Sequence, residues 1–133
     1  TDYKEYQNGR FFYDTETYCD FMKQIENMYT GQKVTFLITS DTHQNPDLFK
    51  DFNFQFGPGA PLGSDHYISD MCTLSLCDLI VAAPSTFAVW AAFIGKTKYL
   101  PLTNERQKLS LKQILEDPLF ESLTHPVCKD VIH

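Results

Sequence analysis

Apolar positions along this chain switch between the 3.6-residue spacing of a helix face and short unbroken runs of strand length. Tyr18, Phe21, Met22, Ile25 and Met28 fall on one stripe. That stripe predicts a helix capped by Asp14 or Thr15, running to about Tyr29 and ended by Gly31. Residues 33–40, KVTFLITS, are a β-rich run, with the strand expected over 34–39. Residues 46–51 predict a short helix with proline at its first position. FNFQF, 52–56, alternates as a strand before the turn-rich GPGAPLGS. Ser64 or Ser69 is placed to cap a helix reaching Leu76. Residues 78–83 read as a buried strand, its apolar stretch being 79–83. Residues 85–94 read as a helix stopped by Gly95, on which Trp90 and Phe93, three apart, are expected in the core. TKYLPL, 97–102, reads as a further strand, and 109–115 and a piece near 119–123 as helical.

Strands separated by helices predict an α/β fold: a Rossmann-like three-layer domain with a mainly parallel sheet of about four strands and right-handed crossovers. In open sheets of this kind ligands sit beyond the carboxyl ends of the strands.

Bulk composition narrows the class. The 133 residues fit one ordinary domain, 1–133. A chain of this size buries roughly 65–70% of its unfolded surface without a disulfide or metal staple. No apolar run reaches the ~18–20 residues of a membrane span, and no signal peptide is visible, so a cytoplasmic chain with no membrane span is expected. Net charge is −6, and Lys and Arg are scattered singly, which argues against a nucleic-acid groove. Cys19, Cys72, Cys77 and Cys128 form no C-x-x-C pair and have no His at zinc spacing. Free thiols in a reducing compartment are the simplest reading. His66, in SDHY, reads as a surface or capping residue rather than a metal ligand.

Candidate chemistry gathers where strands end. At Ala83-Pro84-Ser85-Thr86 the carboxyl end of a strand is also the amino end of a helix. Backbone N–H groups there lack intrahelical acceptors, and the helix dipole favours an anion by about 0.3–2 kcal/mol. A phosphate fits that position, and so does the plainer reading of Ser85 as an N-cap. Asp70, one helix upstream, has the two carboxylate oxygens needed to accept from the N1–H and N2–H₂ donors of guanine. It also reads as a favourable first-turn acid. Ser40-Asp41 ends another strand on the ligand side, or forms an Asx-type turn.

Together these pieces resemble the GDP-fucose-dependent fucosyltransferase superfamily, closest to bacterial α-1,2-fucosyltransferase-like sequences. Thr1-Asp2 matches the tail of the family's His-x-Arg-Arg-x-Asp motif, and Ser40-Asp41 its strand-ending pair. DMCTLSLCDLIVAAPSTFAVWAA, residues 70–92, matches its third and longest motif. The chain departs from the family in three places. His-x-Arg-Arg is not in this sequence, Thr42 stands where a second Asp is usual, and Ala88-Val89 precede Trp90 where Ser-Trp-Trp is common.

The resemblance covers residues 1 to about 102. It implies the carboxyl-terminal, donor-binding half of a two-domain GT-B glycosyltransferase, partnered by an amino-terminal domain. It further implies metal-independent, inverting transfer of fucose from GDP-fucose to a carbohydrate acceptor, with no cofactor. By the same resemblance Asp70 reads guanine, Ser85 and Thr86 hold the diphosphate, and Phe87 packs beside the nucleotide. Asp2 orients the catalytic arginines through a charge-assisted hydrogen bond, and Asp41 lies at the active-site rim. A carboxylate can assist deprotonation of the acceptor; Glu5, Asp14 and Glu16 are near the first motif, and nothing selects one. These 133 residues alone are expected to be inactive. The alternative is a nucleotide-binding or regulatory Rossmann-like module without transferase activity.

Overall fold

The computed structural model describes residues 13–40, 44–57 and 67–117 of the chain. Its described residues fall into two compact units, 13–70 and 71–117.

The first unit opens with α1, Thr15–Met28. Of the two capping candidates the structure uses Asp14, whose carboxylate accepts from Thr17 N at 2.8 Å. Phe21, Met22 and Ile25 are the buried part of the predicted stripe. Gly31, at φ +87°, takes the left-handed conformation that lets the chain leave the helix without a Cβ clash. Two three-residue strands follow, β1 (Phe36–Ile38) and β2 (Phe54–Phe56). They run parallel with Phe36 opposite Phe54 and Ile38 opposite Phe56. Between them Pro46–Phe49 is a short 3-10 helix capped by Asn45, with proline at its first position as expected and its end two residues before the expected Asp51. Phe49, Phe52 and Met22 form the core of this unit, with Phe36, Ile38, Phe54 and Phe56 packed on it. Phe49 meets Phe54 and Phe56 at ring separations of 5.7 and 5.9 Å, inside the range where aromatic pairs attract.

α2, Tyr67–Leu74, carries the boundary between the units. Ser69 lies within this helix and is not its cap; Ser64 lies outside the described residues. The second unit continues with β3 (Leu79–Ala82), α3 (Thr86–Gly95) and β4 (Lys98–Pro101). β3 and β4 pair in parallel, Leu79 opposite Lys98 through Ala82 opposite Pro101. A parallel β–α–β unit is therefore present as expected. Ile80, Ala88, Val89, Ala91, Ala92, Tyr99 and Leu115 make its core.

Four expectations need correction. The four described strands pair as two separate two-stranded parallel sheets, not as one sheet of about four. Trp90 and Phe93 are not core: they are 43% and 47% exposed, and the small stripe Ala88, Val89, Ala91 and Ala92 is buried instead. Both stripes of α3 are apolar, so spacing alone could not say which faces the sheet. Gly95 is the last helical residue rather than the left-handed stop, which is Lys96 at φ 52°. Gly95 is small for a different reason, because a β-carbon there would run into the Ser75 carbonyl. Finally, only Leu111–Gln113 of the helix expected over 109–115 is helical, as a 3-10 turn. Leu115 is drawn into an antiparallel bridge with Tyr99, whose N–H donates to Leu115 O at 3.1 Å.

The chain is thus mixed α/β with short parallel sheets. Among the described residues no helix is long and apolar enough to cross a membrane. The piece near 119–123 lies outside the described residues.

Candidate functional site

Ser85 is set in place from both sides. At the end of β3 the Ala82 carbonyl accepts from Leu102 N at 2.9 Å. The hydroxyl of Tyr99, a fully buried residue of β4, donates toward the Ala82 and Ala83 carbonyls at 3.3 and 3.2 Å. The chain then turns through buried Pro84. Ser85 is extended (φ −156°, ψ 147°), and its Oγ accepts from Ala88 N at 3.0 Å. That is N-cap geometry, and it satisfies one of the N–H groups that a helix start leaves without an intrahelical acceptor. An Oγ that accepts from Ala88 still has its own proton to donate. Thr86 is exposed and Phe87 half-buried in the same turn. A polar helix start therefore sits at a strand's carboxyl end, where the sequence expected it.

The parallel register brings the segment after β4 to the same edge. There Thr103 donates twice to Gln107 Oε1, from its N–H and, at 2.9 Å, from its Oγ1. Gln107 Nε2 donates to Pro101 O at 3.2 Å and to Gln113 Oε1 at 2.8 Å. Gln113 Nε2 in turn reaches Lys108 O at 2.8 Å. Gln107 is 9% exposed, so this is a buried amide network with its polar atoms satisfied, of the kind that rigidifies a loop. Sequence reasoning missed it, because two glutamines and a threonine spread over eleven positions make no motif.

In the other unit Asp70 is 4% exposed and stands in the first turn of α2. A β-carbon built on Gly57 would lie 2.8 Å from Asp70 Oδ1 and 2.9 Å from Thr39 Cγ2. The carboxylate thus lies against the backbone just past β2, at the carboxyl end of the β1–β2 pair. A side chain at 57 would have to push the Asp70 carboxylate and the Thr39 methyl aside. Ser40, one residue past Thr39, accepts from Gln44 Nε2 at 3.1 Å. Asp70 and Ser85 belong to different units. Asp2, Glu5, Asp41 and His66 lie outside the described residues.

The remaining polar candidates have assigned work. The Thr17 backbone N–H, then its side chain, holds the Asp14 carboxyl below its ordinary pKa, so this carboxylate serves as a cap. Burial pushes the thiols of Cys19 and Cys77 up, and Asp78 adds to the effect at Cys77. Raised thiols are poor nucleophiles. Cys19, Cys72 and Cys77 are free. Among the described residues no group of three or more His, Cys, Asp or Glu is placed to hold a metal ion.

What fold and geometry define is a mixed α/β chain whose parallel strand pairs end in polar turns, one capped by a serine and one faced by a buried aspartate. No family model, curated protein or solved structure matches the chain.

Proposed function

We propose that the chain is the donor-binding part of an inverting GT-B glycosyltransferase with a Rossmann-like fold, transferring fucose from GDP-fucose to a carbohydrate hydroxyl without a metal. The observation that carries the reading is the serine-capped start of α3 at the carboxyl end of β3, the position a diphosphate takes in parallel α/β folds. In such a transfer the sugar passes through an oxocarbenium-like state while negative charge grows on the departing β-phosphate. Donors fixed beforehand at that charge are what accelerates the step. Ser85, Thr86 and the first amides of α3 supply such donors, and Phe87 packs beside the nucleotide. Asp70 takes the guanine edge, its two carboxylate oxygens matching the N1–H and N2–H₂ donors of guanine. Asp2 and Asp41 keep their roles as orienter of the arginines and rim residue.

Calorimetric titration with GDP, UDP and ADP tests the reading. GDP is expected to bind most tightly. Asp70→Asn should weaken GDP by about 10- to 150-fold, the equivalent of one charged hydrogen bond at about 1.5–3 kcal/mol, while UDP and ADP hardly change. Equal binding of all three nucleotides, or an Asp70→Asn variant that binds GDP as well as the unmutated chain, would contradict it.

A further inference from the structure

A cavity of about 360 Å³ lies between α1 and the segment that joins β1 to β2. That volume falls within the ~300–1,000 Å³ range of small-ligand sites. Glu16, Cys19 and Lys23 line one wall. They stand three and four residues apart on α1, so they share one helix face. Leu48, Asp51 and Phe52 line the other wall. The Cys19 thiol donates to Leu48 O at 3.5 Å and ties the two walls together. The whole cavity belongs to the unit 13–70, and it shares no residue with the start of α3 or with Asp70.

Charges of opposite sign face this space without pairing. Among the described residues none of Glu16, Lys23 and Asp51 has an ion-pair partner. All three nevertheless act on one thiol. Burial is the first cause of the raised Cys19 pKa; Lys23 pulls it back down, while Asp20, Asp51 and Glu16 push it further up. One ammonium and two carboxylates are thus gathered around Cys19 and left open to a ligand. The apolar part of the lining is Phe52, a residue of the unit's core, and Leu48, which is 53% exposed.

We propose that this cavity binds a small zwitterion with an apolar body, the size of a dipeptide. Its ammonium meets Glu16 and Asp51, its carboxylate meets Lys23, and its side chain rests on Leu48 and Phe52. Seven residues at 1.5 Å each set Glu16 and Lys23 about 10 Å apart along α1. A ligand with its two charges at opposite ends suits that interval better than a single amino acid, and each further residue adds ~3.3–3.6 Å of reach. A ligand of one sign only would leave part of the lining unmet and face a like charge. Glu16, Lys23 and Asp51 are exposed, so each ion pair is weak and an affinity of about 1 mM is expected.

Alkylation of the full chain with iodoacetamide, read thiol by thiol by mass spectrometry, tests the proposal with an internal control. Glycyl-leucine should slow the reaction of Cys19 and leave that of the exposed Cys72 unchanged. Protection should approach about tenfold when the dipeptide stands ~10-fold above its Kd. Blocking either charge, as N-acetyl-glycyl-leucine or as glycyl-leucine amide, should weaken binding by about threefold to fivefold. Lys23→Met should make the amide and the free carboxylate bind alike. Asp51→Asn combined with Glu16→Gln should erase the preference for the free amine. The blocked peptides carry the test on the unmutated chain, so it stands even if a variant fails to fold. Cys19 reactivity that glycyl-leucine leaves unchanged overturns the proposal. So does protection shared by Cys72, equal protection by the blocked and free peptides, or a folded Lys23→Met variant that still tells the two carboxyl forms apart.

Discussion

Replacing Ser85 separates two jobs that one hydroxyl can do. As a cap its Oγ satisfies the Ala88 N–H at 3.0 Å. Ser85→Ala leaves that donor to water and should destabilise the chain by about 1 kcal/mol, within the 0.5–2 kcal/mol span of lost N-caps. For a chain of this length that lowers Tm by about 3–5 °C. The buried residues of α3 stay packed on the sheet, so the helix persists. If Ser85 also donates to a diphosphate, the same variant should weaken GDP by about fivefold, since the backbone donors remain. Ser85→Asp breaks the tie. Aspartate caps as well as serine and adds a favourable charge at the helix start worth about 0.3–1 kcal/mol. Its Tm should match or exceed that of the unmutated chain. Its carboxylate, however, would face the diphosphate. Two like charges ~4 Å apart repel by about 4 kcal/mol at an effective dielectric of 20, so GDP affinity should fall more than tenfold. Thermal melts with calorimetric titration of both variants read the two quantities separately. A Ser85→Asp variant that binds GDP as tightly as the unmutated chain would place the diphosphate elsewhere. A Ser85→Ala variant with unchanged Tm would refute the capping account.

Other substitutions probe the supports of the two strand ends. Tyr99→Phe removes the hydroxyl that serves the Ala82 and Ala83 carbonyls; Ala82 keeps Leu102 N, so the loss should be about 1–2 kcal/mol in urea melts. Gly95→Ala would improve helix propensity by about 1 kcal/mol in an open site, but its methyl meets the Ser75 backbone, and a net loss of about 2 kcal/mol or more is expected from overpacking against atoms that cannot turn aside. Asp14 gives a pH test: its carboxyl is held below its ordinary pKa in the fold, so its contribution is complete above the unfolded value and disappears as pH falls through the lowered one. The Tm gap between the unmutated chain and Asp14→Ala should therefore be present at pH 7 and close in strong acid; a gap that persists there would contradict the assignment.

Local chemistry made much of this fold readable. α1 follows from one stripe and an Asp cap, β3 and β4 from β-rich runs, and the cap at Ser85 from a hydroxyl placed after Pro84. What escaped depends on contacts distant in sequence. The inward side of α3 is decided by which side chains fit close against β3 and β4, and TFAVWAAFIG offers no polar contrast to mark it. The expected helix over 109–115 loses its end to Tyr99, sixteen residues upstream of Leu115. β1 is shorter than its β-rich run because β2 supplies only three paired residues. Asp70 was singled out from its neighbours in sequence, yet its setting against Gly57 and Thr39 is a tertiary fact. So is the Gln107–Gln113 network, which no local pattern announces.

The central proposal is that the start of α3 holds the diphosphate of a guanine nucleotide, and backbone amide NMR during a GDP titration tests it most directly. The account predicts saturable shifts concentrated at Thr86, Phe87 and Ala88 at the start of α3, with UDP, which carries the same diphosphate, moving the same amides. Shifts that leave these amides untouched, or none up to millimolar GDP on the scale of weak binding, would contradict it.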